Sequence, residues 1–221
     1  MKRLLQFIVV VLVVAGCGAV PFKEAARGPL PAGNPRAIVE RFQASMPANF
    51  HLLNSIVFEY NSRAFPAIGY VDIDRKNELL KVVCLNPMGV KLFELSGDRD
   101  KVENHYTIAA LSRFGDITTA VGNDIRRVYL DMTPSPEARV SVGRHSLRFR
   151  QPFGAGVLEY VFSGPEGDLI EKNFYGDTGL AWRVSYYDYR EQNGKRIPHG
   201  ILFLNYDFHY RLTVRQKEFH S

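Results

Sequence analysis

Cysteine is scarce in this chain: two in 221 residues, at positions 17 and 84. Two cannot supply a Cys-rich zinc cluster. Histidine is thin as well. His51, His105, His145, His199, His209 and His220 include no two at the i, i+4 spacing of a helical metal pair. H-E-x-x-H, G-x-S-x-G and the P-loop are all missing, which removes common signatures of zinc hydrolysis, serine nucleophiles and nucleotide binding. "DIDRKNE", Asp72–Glu78, starts like a calcium loop but lacks the required Gly and the distal Glu, so it reads as a solvated turn. "FGAGVL", Phe153–Leu158, has glycines without a following helix and reads as a β-turn. No sign of charge dominates: 28 basic against 23 acidic residues leave +5, spread too evenly to suggest a nucleic-acid surface. No enzyme, metal or cofactor is expected from these residues.

Long apolar runs are also few. Leu4–Val14 is nearly unbroken, but a bilayer crossing needs about 20 residues. Lys2 and Arg3 precede this run and small residues follow it, the pattern of an export signal over residues 1–16. Its ending, Val14-Ala15-Gly16-Cys17, resembles the bacterial lipobox, in which cleavage precedes a cysteine. That resemblance implies a diacylglyceryl and acyl (palmitate-type) anchor on Cys17. Gly18 follows rather than Asp, so the outer membrane is the expected destination, on its periplasmic face. With Cys17 lipidated, Cys84 has no partner for a disulfide. It follows Val82 and Val83, so a buried thiol is expected.

Residues 17–34, rich in Ala, Gly and Pro, read as the lipidated N-terminus and a tether. The rest, 35–221, reads as one domain. Asn34-Pro35 is a helix start, an N-cap followed by Pro at the first helical position; Ile38 and Phe42 share a face, and Pro47 stops the helix. From His51 the apolar period becomes two. Strands are expected over 52–60, 67–74, 79–85 and 90–95, then helical segments over 106–114 and 118–130. Further strands are expected over 146–150, 157–162, 169–175, 181–189, 197–205 and 206–215. Asn193-Gly194 marks a hairpin turn. Ten or eleven antiparallel strands exceed what a flat sheet holds, so they should curl toward a barrel, with the few helices plugging or lidding its mouth.

"LNPMGVKLFEL" (85–95) puts Met88 at the tip of a tight turn, where a polar residue is usual. "GLAWRVSYYDYREQNGKRIPHGILFLNYDFHYRLTVRQKEF" (179–219) runs strand, polar turn, then a Pro before a strand pair. Together with the lipobox, these stretches resemble the LolB-like outer-membrane lipoproteins, relatives of the periplasmic carrier LolA. The resemblance implies a mainly β (α+β), single unclosed and strongly curved barrel with a helical lid over an apolar cavity. It implies a monomer that takes the acyl chains of other lipoproteins from a LolA-like carrier and helps insert them into outer-membrane lipid. A related lipoprotein binding a free lipid or lipid precursor, without catalysis, is the alternative. The turn Pro87-Met88-Gly89 would then insert into the membrane. Phe58, Tyr70, Phe149, Tyr160, Phe162 and Trp182 would line the cavity, each being equally suited to ordinary core packing.

Overall fold

A computed structural model describes residues 20–23, 28–112 and 116–221. The signal segment 1–16, Cys17 and part of the 17–34 tether lie outside the described residues. The chain enters its fold through α1 (Pro35–Ser45), where the Asn34 side chain accepts from the Arg36 N–H at 2.9 Å and Pro35 takes the first turn. Its buried stripe is Ile38, Val39 and Phe42.

Twelve strands follow. The first five are β1 (Asn49–Tyr60), β2 (Arg63–Asp74), β3 (Leu79–Leu85), β4 (Lys91–Gly97) and β5 (Val102–Thr107). The other seven are β6 (Arg139–Val142), β7 (Leu147–Phe153), β8 (Gly156–Ser163), β9 (Asp168–Gly176), β10 (Gly179–Gln192), β11 (Lys195–Asn205) and β12 (Tyr210–His220). They form one antiparallel sheet in the order 5-4-3-2-1-12-11-10-9-8-7-6, so β1 pairs with β12 and joins the two halves of the chain. Strand twist curls so many strands into a half-closed barrel, leaving β5 and β6 as open edges. Residues between those edges cross the concave face as α2 (Ala109–Ser112), α3 (Ile117–Ile125) and a π-helical turn, Arg126–Leu130.

Alternation decides what fills the interior. Leu52, Val71, Val82, Leu95, Leu158, Val184, Phe203 and Val214 all point to the concave side and are buried there in one cluster. Asp188 takes φ +50 while β10 and β11 keep one register across it; Tyr186 is buried in that cluster and Tyr189 packs against it.

Three expectations are corrected. β5 and β6 are additional strands; β5 ("VENHYT") is an exposed edge with no apolar alternation to announce it. Of the helix expected over 106–114, Ala109–Ser112 is helical among the described residues, and Tyr106 belongs to β5. The last strand starts at Tyr210, because the Asn205 side chain accepts from the Phe208 N–H at 3.0 Å and turns the chain over 206–209.

The two ends of the barrel differ. At one end, the rim, the turns are 61–62, 86–90, 154–155, 177–178 and 206–209. At the other, the base, they are 75–78, 98–101, 143–146, 164–167 and 193–194. Helix α1 closes the base, where Lys195 Nζ donates to the Ala44 carbonyl at 3.1 Å.

Candidate functional site

Of the six aromatics proposed for a cavity, Phe149, Tyr160, Phe162 and Trp182 are buried on the concave face and Phe58 is half-buried there. Tyr70 stands on the outer face, 48% exposed. Phe162 meets Phe42 of α1 at 5.5 Å and Phe149 at 5.8 Å, both edge-on, so α1 and the sheet are packed together at the base. Two open surface pockets, about 570 and 370 Å³, have linings that include Asp72, Asp74 and Lys81, and Glu59, Asn61 and Arg211, respectively.

The concave face is occupied by α3 and the π turn. A π turn leaves main-chain carbonyls without in-register partners, and the barrel wall supplies them. Lys172 Nζ donates to the Arg127 carbonyl, and the Tyr186 hydroxyl donates to the Val128 carbonyl at 2.8 Å. Asn54 Nδ2 donates to the Tyr129 hydroxyl at 3.4 Å, and Tyr210 donates to the Asp124 carboxylate. Asp124 is also paired with Arg127 at 2.8 Å, yet burial still raises its pKa. Val128, Tyr129 and Met132 fill the space beneath. This segment is a plug whose buried contacts with the wall are repeatedly polar.

Lys172 is the unusual wall residue. It is fully buried, its ammonium lies 5.6 Å from the Tyr160 ring and 6.0 Å from the Trp182 ring, and burial pulls its pKa down to about 7. Asp131 pulls the other way and Arg127 reinforces the burial effect.

The chain after the plug is held by α1. Arg36 donates to the carbonyls of Ser135 (2.8 Å), Pro136 (2.6 Å) and Ala138 (2.7 Å) and lies over the Phe149 ring at 5.0 Å. Arg36→Ala should therefore cost about 1.5–3 kcal/mol and speed amide hydrogen exchange across 135–138 before the sheet responds; unchanged exchange there would show that the clamp holds nothing.

Toward the rim the concave wall becomes a continuous aromatic arc. Phe153, Phe174, Trp182, Phe203, Tyr210, Phe58 and Phe65 follow one another across the sheet, Phe153 reaching Phe174 past β8 and the rest on adjacent strands, each ring centroid 5.4–6.3 Å from the next. Its two ends, Phe153 and Phe65, are exposed. Phe58 and Trp182 are among the residues expected to line a cavity; the other five join the arc only through strand register.

Met88 stands clear of this arc at 88% exposure. The Asn86 side chain accepts from the N–H groups of Met88 and Val90, both at 2.9 Å, and Gly89 takes φ +82, so the turn is tightly built and presents its tip. Pro87 and Gly89 are exposed beside it. Cys84, one strand residue inside the turn, is buried, and burial pushes its thiol up to about 12. Among the described residues no three His, Cys, Asp or Glu side chains converge.

No protein-family model and no curated protein matches the chain. Solved structures do. A LolA superfamily protein from Nitrosomonas europaea superposes with TM-score 0.56 at 11% identity, over 85% of this chain and 93% of that one. A DUF1329 family protein from Desulfovibrio piger gives 0.56 at 6% identity, over 85% and 91%. A putative outer membrane lipoprotein-sorting protein domain from Vibrio parahaemolyticus gives 0.50 at 7%, over 85% and 93%. The fold is thus an unclosed, curled antiparallel barrel of LolA-like type.

Proposed function

We propose that this chain is a lipid-anchored protein of the outer membrane's periplasmic face. It would accept acyl chains of other lipoproteins on the concave wall and help insert them into the membrane, without catalysis or cofactor. Cys17 would carry the anchor, and a LolA-like carrier would supply the cargo. The observation that carries this reading is the aromatic arc, which runs from the interior to exposed rings at the rim. Stiff rings hold alkyl chains without directional bonds, and each methylene removed from water contributes about 0.8 kcal/mol. In the conformation described, the plug covers the wall inside the arc. An acyl chain would take the plug's place, with the Tyr186 hydroxyl and the Lys172 amine released from its carbonyls.

Purification under mild conditions followed by mass spectrometry tests the reading: an acylated polypeptide should accompany the protein. Depletion in the cell should leave other lipoproteins mislocalised. Protein free of any acylated species, together with normal lipoprotein sorting on depletion, would end it. Met88→Glu should keep the fold yet reduce insertion of cargo into vesicles, since a Met side chain gains roughly 1.5–3 kcal/mol on leaving water; full insertion by the variant would remove Met88 from the mechanism.

Lys172 favours a second reading. A buried amine with only a main-chain carbonyl for a partner would pair with the carboxylate or phosphate of a free anionic lipid once the plug moved. In that case the same mass spectra would contain free lipid rather than acylated polypeptide.

A further inference from the structure

Among the described residues, eight of the thirteen exposed large apolar side chains lie at or beside the rim turns. Met88 and Phe208, the latter 70% exposed, stand on the tips of two separate turns, and Phe153 beside a third. Tyr60 and Tyr206 are exposed just behind them. The base turns have the opposite character: "RKNE" at 75–78, "DRDK" at 98–101 and "GRHS" at 143–146. A rigid protein partner is met by a contiguous patch, whereas single side chains spaced on different turns suit a fluid phase. Tyrosines behind apolar tips match the aromatic belt of a membrane–water interface.

The N-terminal segment supplies an independent observation. Phe22 is stacked on Tyr187 at 5.6 Å, covered by the Arg215 guanidinium at 5.1 Å, and Arg215 donates to the Pro21 carbonyl at 2.9 Å. It sits over Gly200 on the outer wall, where an added Cβ would come within 2.5 Å of the ring, so only glycine leaves the notch open. Cys17 lies five residues before Phe22, a reach of at most about 17 Å. The five residues from Gly200 to the rim end of β11 at Asn205 cover about the same distance. A lipid on Cys17 can therefore share a plane with the rim.

We propose that the rim bearing Met88, Phe153, Tyr206 and Phe208 is a bilayer-docking surface, and that Phe22, clipped over Gly200, sets the short leash that aims it. The membrane contact is thus several turns wide rather than the single Met88 turn. The proposal deepens the function above and rests on its membrane location, but not on any cargo.

The test uses the full chain on phosphatidylcholine vesicles that contain neither carrier nor acylated protein. An environment-sensitive fluorophore is placed on Phe208→Cys or, at the base, on Asn77→Cys, with the parent chain as the labelling control. Quenching by lipids brominated along the acyl chain is expected at 208 and not at 77. Phe208→Asp should weaken docking roughly 10- to 100-fold, and Gly200→Leu, which expels Phe22, should reduce quenching of the 208 probe. Equal quenching at 208 and 77, or none at 208, would overturn the proposal, as would rim-to-rim dimers shielding the 208 probe without lipid. Docking that persists while cargo insertion fails would sink the transport reading and leave this one standing.

Discussion

Truncating Phe162 to alanine is expected to destabilise the protein by about 3–5 kcal/mol. The ring is fully buried and held edge-on between Phe42 of α1 and Phe149 of β7, so removing it leaves a hole that neither helix nor sheet can easily fill. The measurement separates the two roles this residue could have from sequence. A side chain lining an empty chamber has few atoms opposite it, and its loss would cost less than about 1.5 kcal/mol. Urea unfolding of the variant against the parent reads the difference directly. A small loss would mean that the base of the barrel opens as readily as its rim.

The second large effect is a dependence on pH carried by Lys172. Burial lowers its folded pKa to about 7 from an unfolded value of 10.5. Below pH 7 both states carry the proton, and the full cost of burying the charge is present. As pH rises from 7 toward 10.5, the folded protein holds fewer protons than the unfolded chain, so stability climbs. Between pH 7 and 9.5 this sums to roughly 3 kcal/mol. Lys172→Met removes the titration while keeping a straight apolar stem, at the expense of the Arg127 carbonyl's partner. Stability curves measured at several pH values should therefore diverge, the parent rising across that window relative to the variant. Parallel curves would show that the Lys172 amine reaches water in the folded state.

Much of this architecture is legible in the sequence. Asn34-Pro35 announces α1, Asn193-Gly194 announces a hairpin, and the alternation through 197–205 places Ile201 and Phe203 on one face. Those signals are local, set by capping geometry, turn φ values and the two-residue period of a strand. "YDFH" alternates like the strand after it, yet Asn205 turns the chain there, and the apolar side chains of Tyr206 and Phe208 face the solvent beyond the rim. Periodicity reports that one side is apolar; it does not report what that side meets.

The sequence by itself determined a curled antiparallel sheet, an N-terminal helix and an apolar turn tip at Met88, because each follows from neighbours within a few residues. Only the tertiary structure decided that β1 closes on β12, that α3 and the π turn fill the concave face, and that seven rings from seven strands form one arc. Such placements depend on register between distant strands, where a shift of one residue would turn every aromatic to the opposite face. The same holds for Lys172: nothing in "IEKNF" marks its amine as buried, since burial comes from Tyr160, Trp182 and the plug lying over it.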